Sequence, residues 1–198
     1  MKYNKFISRY NNICIWGGMN MELWDVYDIN RNKTNETMVR GEPIEKNNYH
    51  LVVHVCVFNS HGEMLIQQRQ PFKEGWSNMW DITVGGSAIK GDTSQSAAER
   101  ELFEEIGLRV DLKNIRPHIT MNYNYGFDDI YLIEQDVDIN ELSLQYEEVQ
   151  KVKWASKEEI FLMIDSGEFI PYYQSLIQLF FDSRKKYGAI NYIKRIGM

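Results

Sequence analysis

The apolar positions change their spacing several times along the chain, and each change marks an element. In "HLVVHVCVFNSHGEMLIQQR" (50–69) two β-rich runs flank the polar turn "NSHGE", the pattern of a hairpin. "ELWDVYDINRNKTNETMVRG" (22–41) reads as a short strand, a polar turn and a second short strand, and "MWDITVGG" (79–86) as one strand that ends in glycines. The spacing turns helical in "DTSQSAAERELFEEIG" (92–107), where Leu102 and Ile106 form an apolar stripe. Thr93 or Ser94 can cap its start, and Gly107 can supply the left-handed position after its end. Strands follow near 117–124, 129–138 and 149–156. Two amphipathic helices close the chain near 156–166 and 171–186, the second with Tyr172, Leu176, Leu179 and Phe180 inward. Strand runs mixed with a few helices predict an α/β layered sandwich, not a regular βαβ array.

Composition narrows the partners. The 198 residues, 43 % hydrophobic and 25 % charged, suit one globular domain with a sizeable core. A net charge of −6 opposes general affinity for nucleic acid or an anionic membrane. It leaves room for a small phosphorylated substrate, because a divalent cation can invert the local sign. Cys14 and Cys56 cannot make a disulfide framework, so a cytoplasmic location is expected, as monomer or homodimer. No run approaches the roughly 20 apolar residues of a membrane span. The start, "MKYNKFISRYNNICIWGG", lacks the apolar stretch of a signal peptide. Its Trp16-Gly17-Gly18 codons must be G-rich, like a bacterial ribosome-binding site ahead of Met21. Residues 1–20 are therefore expected to be leader or a mis-assigned start, and 21–198 a single domain.

The helix at 92–107 carries an excess of acid. Glu101, Glu104 and Glu105 fall within one narrow arc beside the apolar stripe. Like charges at these spacings destabilise an isolated helix by a few tenths of a kcal/mol per pair. Partly shielded carboxylates about 5 Å apart repel by roughly 3 kcal/mol at an effective dielectric of 20. A hard divalent cation, Mg²⁺ or Mn²⁺, would turn that repulsion into attraction.

The stretch "GSAIKGDTSQSAAERELFEEIGL" (86–108) resembles the Nudix box, G-x5-E-x7-R-E-U-x-E-E-x-G-U, in which U is a bulky apolar residue. Gly86, Arg100, Glu101, Leu102, Glu104, Glu105, Gly107 and Leu108 fall in place, and Asp92 stands where the box has Glu. The resemblance implies an α/β/α sandwich with a mixed β-sheet. It further implies metal held by Glu101, Glu104, Glu105 and the Gly85 carbonyl, with Arg100 orienting the glutamates. The implied reaction is metal-dependent hydrolysis of a diphosphate bond in a nucleoside diphosphate linked to another moiety. Glu101 is one candidate base, and Asp128, Asp129, Glu147 and Glu148 are others. Arg69 and Lys73 are candidates for the second phosphate, and Trp76, Tyr125 and Phe127 for a stacking platform.

The longer stretch 50–88 looks like the Nudix branch that contains isopentenyl-diphosphate isomerases. Gly85 stands at the isomerase cysteine and Ser87 at a metal histidine, so both chemical groups are missing. His50 matches a metal histidine, Asp129 falls near a metal glutamate, and His54 shares the strand face of His50. An isomerase-like enzyme and a non-catalytic nucleotide-binding module remain the alternatives to the hydrolase.

Overall fold

The computed structural model describes residues 13–16 and 19–190. Two sheets form. Strands β1 (Ile13–Trp16), β2 (Met19–Tyr27) and β3 (Lys33–Val39) make a small antiparallel meander in that order. The larger sheet uses β4 (His50–Phe58), β5 (Met64–Arg69), β6 (Trp80–Asp81), β7 (Val84–Ser87), β8 (Ile119–Tyr123), β9 (Gly126–Glu134) and β10 (Val149–Ala155). Its order is β10-β5-β4-β9-β8, with β6 on β5 and β7 on β4. β4 and β9 run parallel while the other pairs are antiparallel, so the sheet is mixed.

β4 explains the layers. Leu51, Val53, Val55 and Val57 point to one face and pack on Ala97, Ala98, Leu102 and Ile106 of α1 (Ser94–Ile106). Cys56 and Phe58 point to the other and pack with Ile160 and Met163 of α2 (Lys157–Ser166) and Ile177 and Phe180 of α3 (Gln174–Ser183). A strand buried on both faces reads as a near-continuous apolar run. The result is the expected α/β/α sandwich.

Three expectations change in detail. The run 79–86 is not one strand: β6 pairs with β5 and β7 with β4. Between them, the Thr83 hydroxyl accepts from the Val57 N–H at 2.9 Å and donates to the Leu65 carbonyl. Thr83 therefore plugs the gap where β4 and β5 splay, and the chain changes partner across it. β9 starts and ends before the expected 129–138. Leu179 is 43 % exposed, and Ile177 and Phe181 take the inward places beside Phe180. Of the expected leader, Ile13–Trp16 pairs with Met19–Glu22, and 1–12, 17 and 18 lie outside the described residues. Among the described residues no helix is long and apolar enough to cross a membrane.

Candidate active site

α1 is fixed at both ends by its own sequence. The Thr93 hydroxyl accepts from the Ser96 N–H, and the Ser96 hydroxyl accepts from the Thr93 N–H, so Thr93 is the cap. Gly107 takes φ 72° and closes the end by donating to the Phe103 carbonyl at 3.0 Å. With the ends set and the Leu102/Ile106 stripe buried, the acidic arc lies beside β7.

The glycines of β7 make that approach possible. A β-carbon on Gly86 would lie 2.2 Å from the Glu101 carboxyl carbon, and one on Gly85 would lie 2.4 Å from the His54 ring. Neighbouring strand residues face opposite ways. Glu101 and His54 therefore sit on the two sides of a strand that is bare on both.

Arg100 organises the arc. It donates to Glu101 at 2.8 Å, Glu104 at 3.0 Å, Asp92 at 3.1 Å and the Ser87 carbonyl at 3.0 Å. Asp92, although shorter than the usual glutamate, thus reaches the arginine, and it also accepts from the Ile89 N–H and the Ser96 hydroxyl. Glu105 is only 6 % exposed and accepts from Gln67 Nε2 at 2.9 Å. Burial, reinforced by the charge of Glu101, pushes its carboxyl up to about 8. Burial also raises Glu101, against the opposing pull of Arg100. Glu104 is half-exposed. Among the described residues, no three acidic, histidine or cysteine side chains already surround one point. One Arg100 nitrogen, Nη1, bridges Glu101 and Glu104, while Gln67 holds Glu105 separately.

These groups line a cleft of about 420 Å³ together with Arg69 and Lys73. Lys73 is paired with Glu148 at 2.6 Å, whereas Arg69 has its nearest carboxylate, Asp81, at 3.9 Å. Arg69 is the less neutralised of the two candidate phosphate contacts. The other candidates separate clearly. Glu148 lines the cleft and Glu147 does not. Asp129 is fully buried under Arg31, Ser94 and Thr120, all of which donate to it, so it is a structural anchor away from the cleft. His50 stacks on Trp24 at 4.3 Å and meets the Tyr123 hydroxyl, outside the cleft. Phe127 is core, and Trp76 and Tyr125 are exposed but off the cleft wall.

Sequence reasoning passed over Glu22, Arg40 and Gln145, which the fold brings to the cleft. No local signal marks them, because two arrive on the small meander, where Arg40 pairs with Glu22 at 3.1 Å. His54 did carry a signal: a polar ring inside the apolar run Val-Val-His-Val. It lines the cleft and its Nδ1 lies 2.7 Å from Asp128.

Residues 48–173 match the NUDIX domain family. An uncharacterized Nudix hydrolase of Listeria innocua is 49 % identical over 160 residues, covering 81 % of this chain and 94 % of that protein. An isopentenyl-diphosphate Delta-isomerase of Pectobacterium atrosepticum is 32 % identical over 118 residues, covering 59 % and 64 %. A crystal structure of a Deinococcus radiodurans protein superimposes with a TM-score of 0.64 at 23 % identity, covering 84 % of this chain and 100 % of that one. The family match includes α1, β7 and the strands that carry His54 and Arg69, so the chain belongs to the Nudix hydrolase family.

Proposed function

We propose that the protein hydrolyses a diphosphate bond in a nucleoside diphosphate linked to another moiety, with Mg²⁺ or Mn²⁺ held by Glu101, Glu104, Glu105 and the Gly85 carbonyl. The observation that carries this reading is Glu105, buried beside Glu101 on a helix whose neighbouring strand has no side chain in the way. All-oxygen donors, two of them shielded, suit a hard divalent cation, so the residues fit the group. When bound, such a cation neutralises phosphate oxygens and lowers the pKa of an attacking water.

The chain's own residues supply the remainder. Arg100 holds Glu101 and Glu104 on the cleft side of α1, and the capped helix holds Arg100. Arg69 offers the substrate's second phosphate a charge-assisted donor. For proton removal the field narrows to Glu101 and Glu148, which line the cleft, because Asp129 is sealed and Asp128 lies outside the lining, behind His54.

The isomerase alternative meets a steric obstacle. Isomerising an unactivated double bond needs a sheltered acid and a base on opposite sides of the substrate. At the cysteine position, Gly85, even a β-carbon would collide with the His54 ring. This observation supports our reading of a hydrolase that resembles the isomerase branch but lacks its cysteine chemistry. Incubation in heavy water with Mg²⁺ at mildly alkaline pH tests the choice. Cleavage of at least one nucleoside diphosphate derivative is expected, with no deuterium entering isopentenyl diphosphate. Deuterium incorporation would overturn the hydrolase assignment.

A further inference from the structure

The His54–Asp128 pair has no part in the reaction outlined above, yet its histidine lines the cleft. His54 stands between Val53 and Val55 on β4, and the next side chain on its face, Cys56, is fully buried in the apolar core. Its Nδ1 is held by Asp128 Oδ1 at 2.7 Å, and Asp81 lies near enough to act on its charge. Such a pair is expensive to shield, and apolar side chains of the same size commonly stabilise a sheet at least as well. The pair is not sealed, however. The His54 side chain keeps 20 % of its surface exposed and lines the cleft. The missing side chain of Gly85 opens the space that the ring occupies. With Nδ1 engaged, Nε2 has no hydrogen-bond partner among the described residues.

Geometry also says which part of a substrate the ring can meet. Glu101 lies against Gly86 on one side of β7, and His54 lies against Gly85 on the other. Arg69, the less neutralised of the two candidate phosphate contacts, lines the same cleft as His54. A molecule held by its diphosphate at the carboxylates would have to pass the edge of β7 to reach the imidazole.

We propose that His54 is a specificity-determining residue whose Nε2 hydrogen-bonds a substrate oxygen beyond the attacked phosphorus, with Asp128 as its positioning residue. This rests on the hydrolase reading for the identity of the carboxylate end, but the contact itself requires only binding. The oxygen belongs either to the far phosphate or to a hydroxyl of the group attached to it. A phosphate oxygen would accept from the Nε2–H of the protonated ring, whereas a hydroxyl could donate to Nε2 of the neutral ring.

Ring ¹⁵N resonances of His54 in the full chain test the contact with non-cleavable probes: methylenediphosphonate, α,β-methylene-ADP and the α,β-methylene analogue of ADP-ribose, each with Mg²⁺. Binding is read independently by ³¹P line shape. At least one bound probe is expected to shift Nε2 far more than Nδ1. A shift with methylenediphosphonate assigns a phosphate oxygen, and a shift only with the larger probes assigns a hydroxyl. His54→Phe is expected to weaken that probe about tenfold, equivalent to about 1.4 kcal/mol. His54→Gln, which keeps a polar atom near Nε2, should recover part of the loss, and Asp128→Asn should weaken the same probe. Unmoved His54 resonances with every probe, whether or not ³¹P detects binding, would overturn the contact. So would a His54→Phe variant that binds all three like the wild type. A wild-type protein that shows the Nε2 shift but cleaves nothing would contradict the hydrolase reading while leaving this contact in place.

Discussion

Arg100 and Glu105 show how opposite environments divide labour on one helix. Arg100 satisfies three carboxylates and a carbonyl, and the Asp92 that departs from the family box still reaches it. Asp92→Asn keeps the shape but removes the charge of a partly buried pair. It is expected to cost about 1–3 kcal/mol in chemical denaturation, while Asp92→Glu should retain most of the stability. Glu105 has the opposite problem, since burial and Glu101 push its carboxyl up to about 8, against an ordinary 4.5. A carboxyl raised on folding stabilises the protein fully below its unfolded value and loses that contribution as pH rises through the folded value. Metal-free protein should therefore lose stability between about pH 4.5 and 8. Glu105→Gln should flatten that slope, and added Mg²⁺ or Mn²⁺ should raise the wild-type melting temperature at pH 8. A thermal melt series across pH, with and without metal, checks all three.

At the scale of elements, β7 is the part whose sequence is least replaceable. Gly86→Ala brings a β-carbon against the Glu101 carboxylate, the mobile end of a side chain, so the fold should survive with a change within about 1 kcal/mol. The carboxylate would be displaced, and a misplacement near 1 Å can cost about 100-fold in turnover. Activity and denaturation measured on the same variant separate the two effects. The element map was largely legible beforehand because β4 and α1 carry clear apolar periods and α1 carries both its caps. The break at Ile82–Thr83 was not, because a hydroxyl bridging two strands leaves no trace in a local pattern. The box placed Glu101, Glu105 and Arg100 at the cleft, but gave no hint that Gln67 holds Glu105. Leu179 misled because Ile177, Phe180 and Phe181 face the core instead, and a one-position rotation of a helix changes which side chains are inside.

Across the whole molecule, the small meander is stitched to the sandwich by side chains and backbone together. Lys90 donates its N–H to the Leu23 carbonyl at 2.8 Å, Trp24 stacks on His50, and Arg31 reaches the buried Asp129. Those contacts bring Glu22 and Arg40 to the cleft, which no motif could show. Among the described residues β1 pairs with β2 alone, at the outer side of the meander. A chain beginning at Met21 keeps β3, Glu22 and Arg40, and is expected to match the full chain in thermal midpoint and activity. A drop of several degrees would show that residues 1–20 pack on the domain. Metal-dependent cleavage that relies on the buried end of the acidic arc can be followed by ³¹P NMR. A panel of nucleoside diphosphate derivatives is followed with Mg²⁺ or Mn²⁺ for the wild type and Glu105→Gln side by side. The wild type is expected to convert at least one diphosphate into two phosphomonoesters only when metal is present, and the folded Glu105→Gln protein to lose at least about 100-fold of that rate. Equal rates in the two proteins, or cleavage that persists in excess chelator, would contradict it.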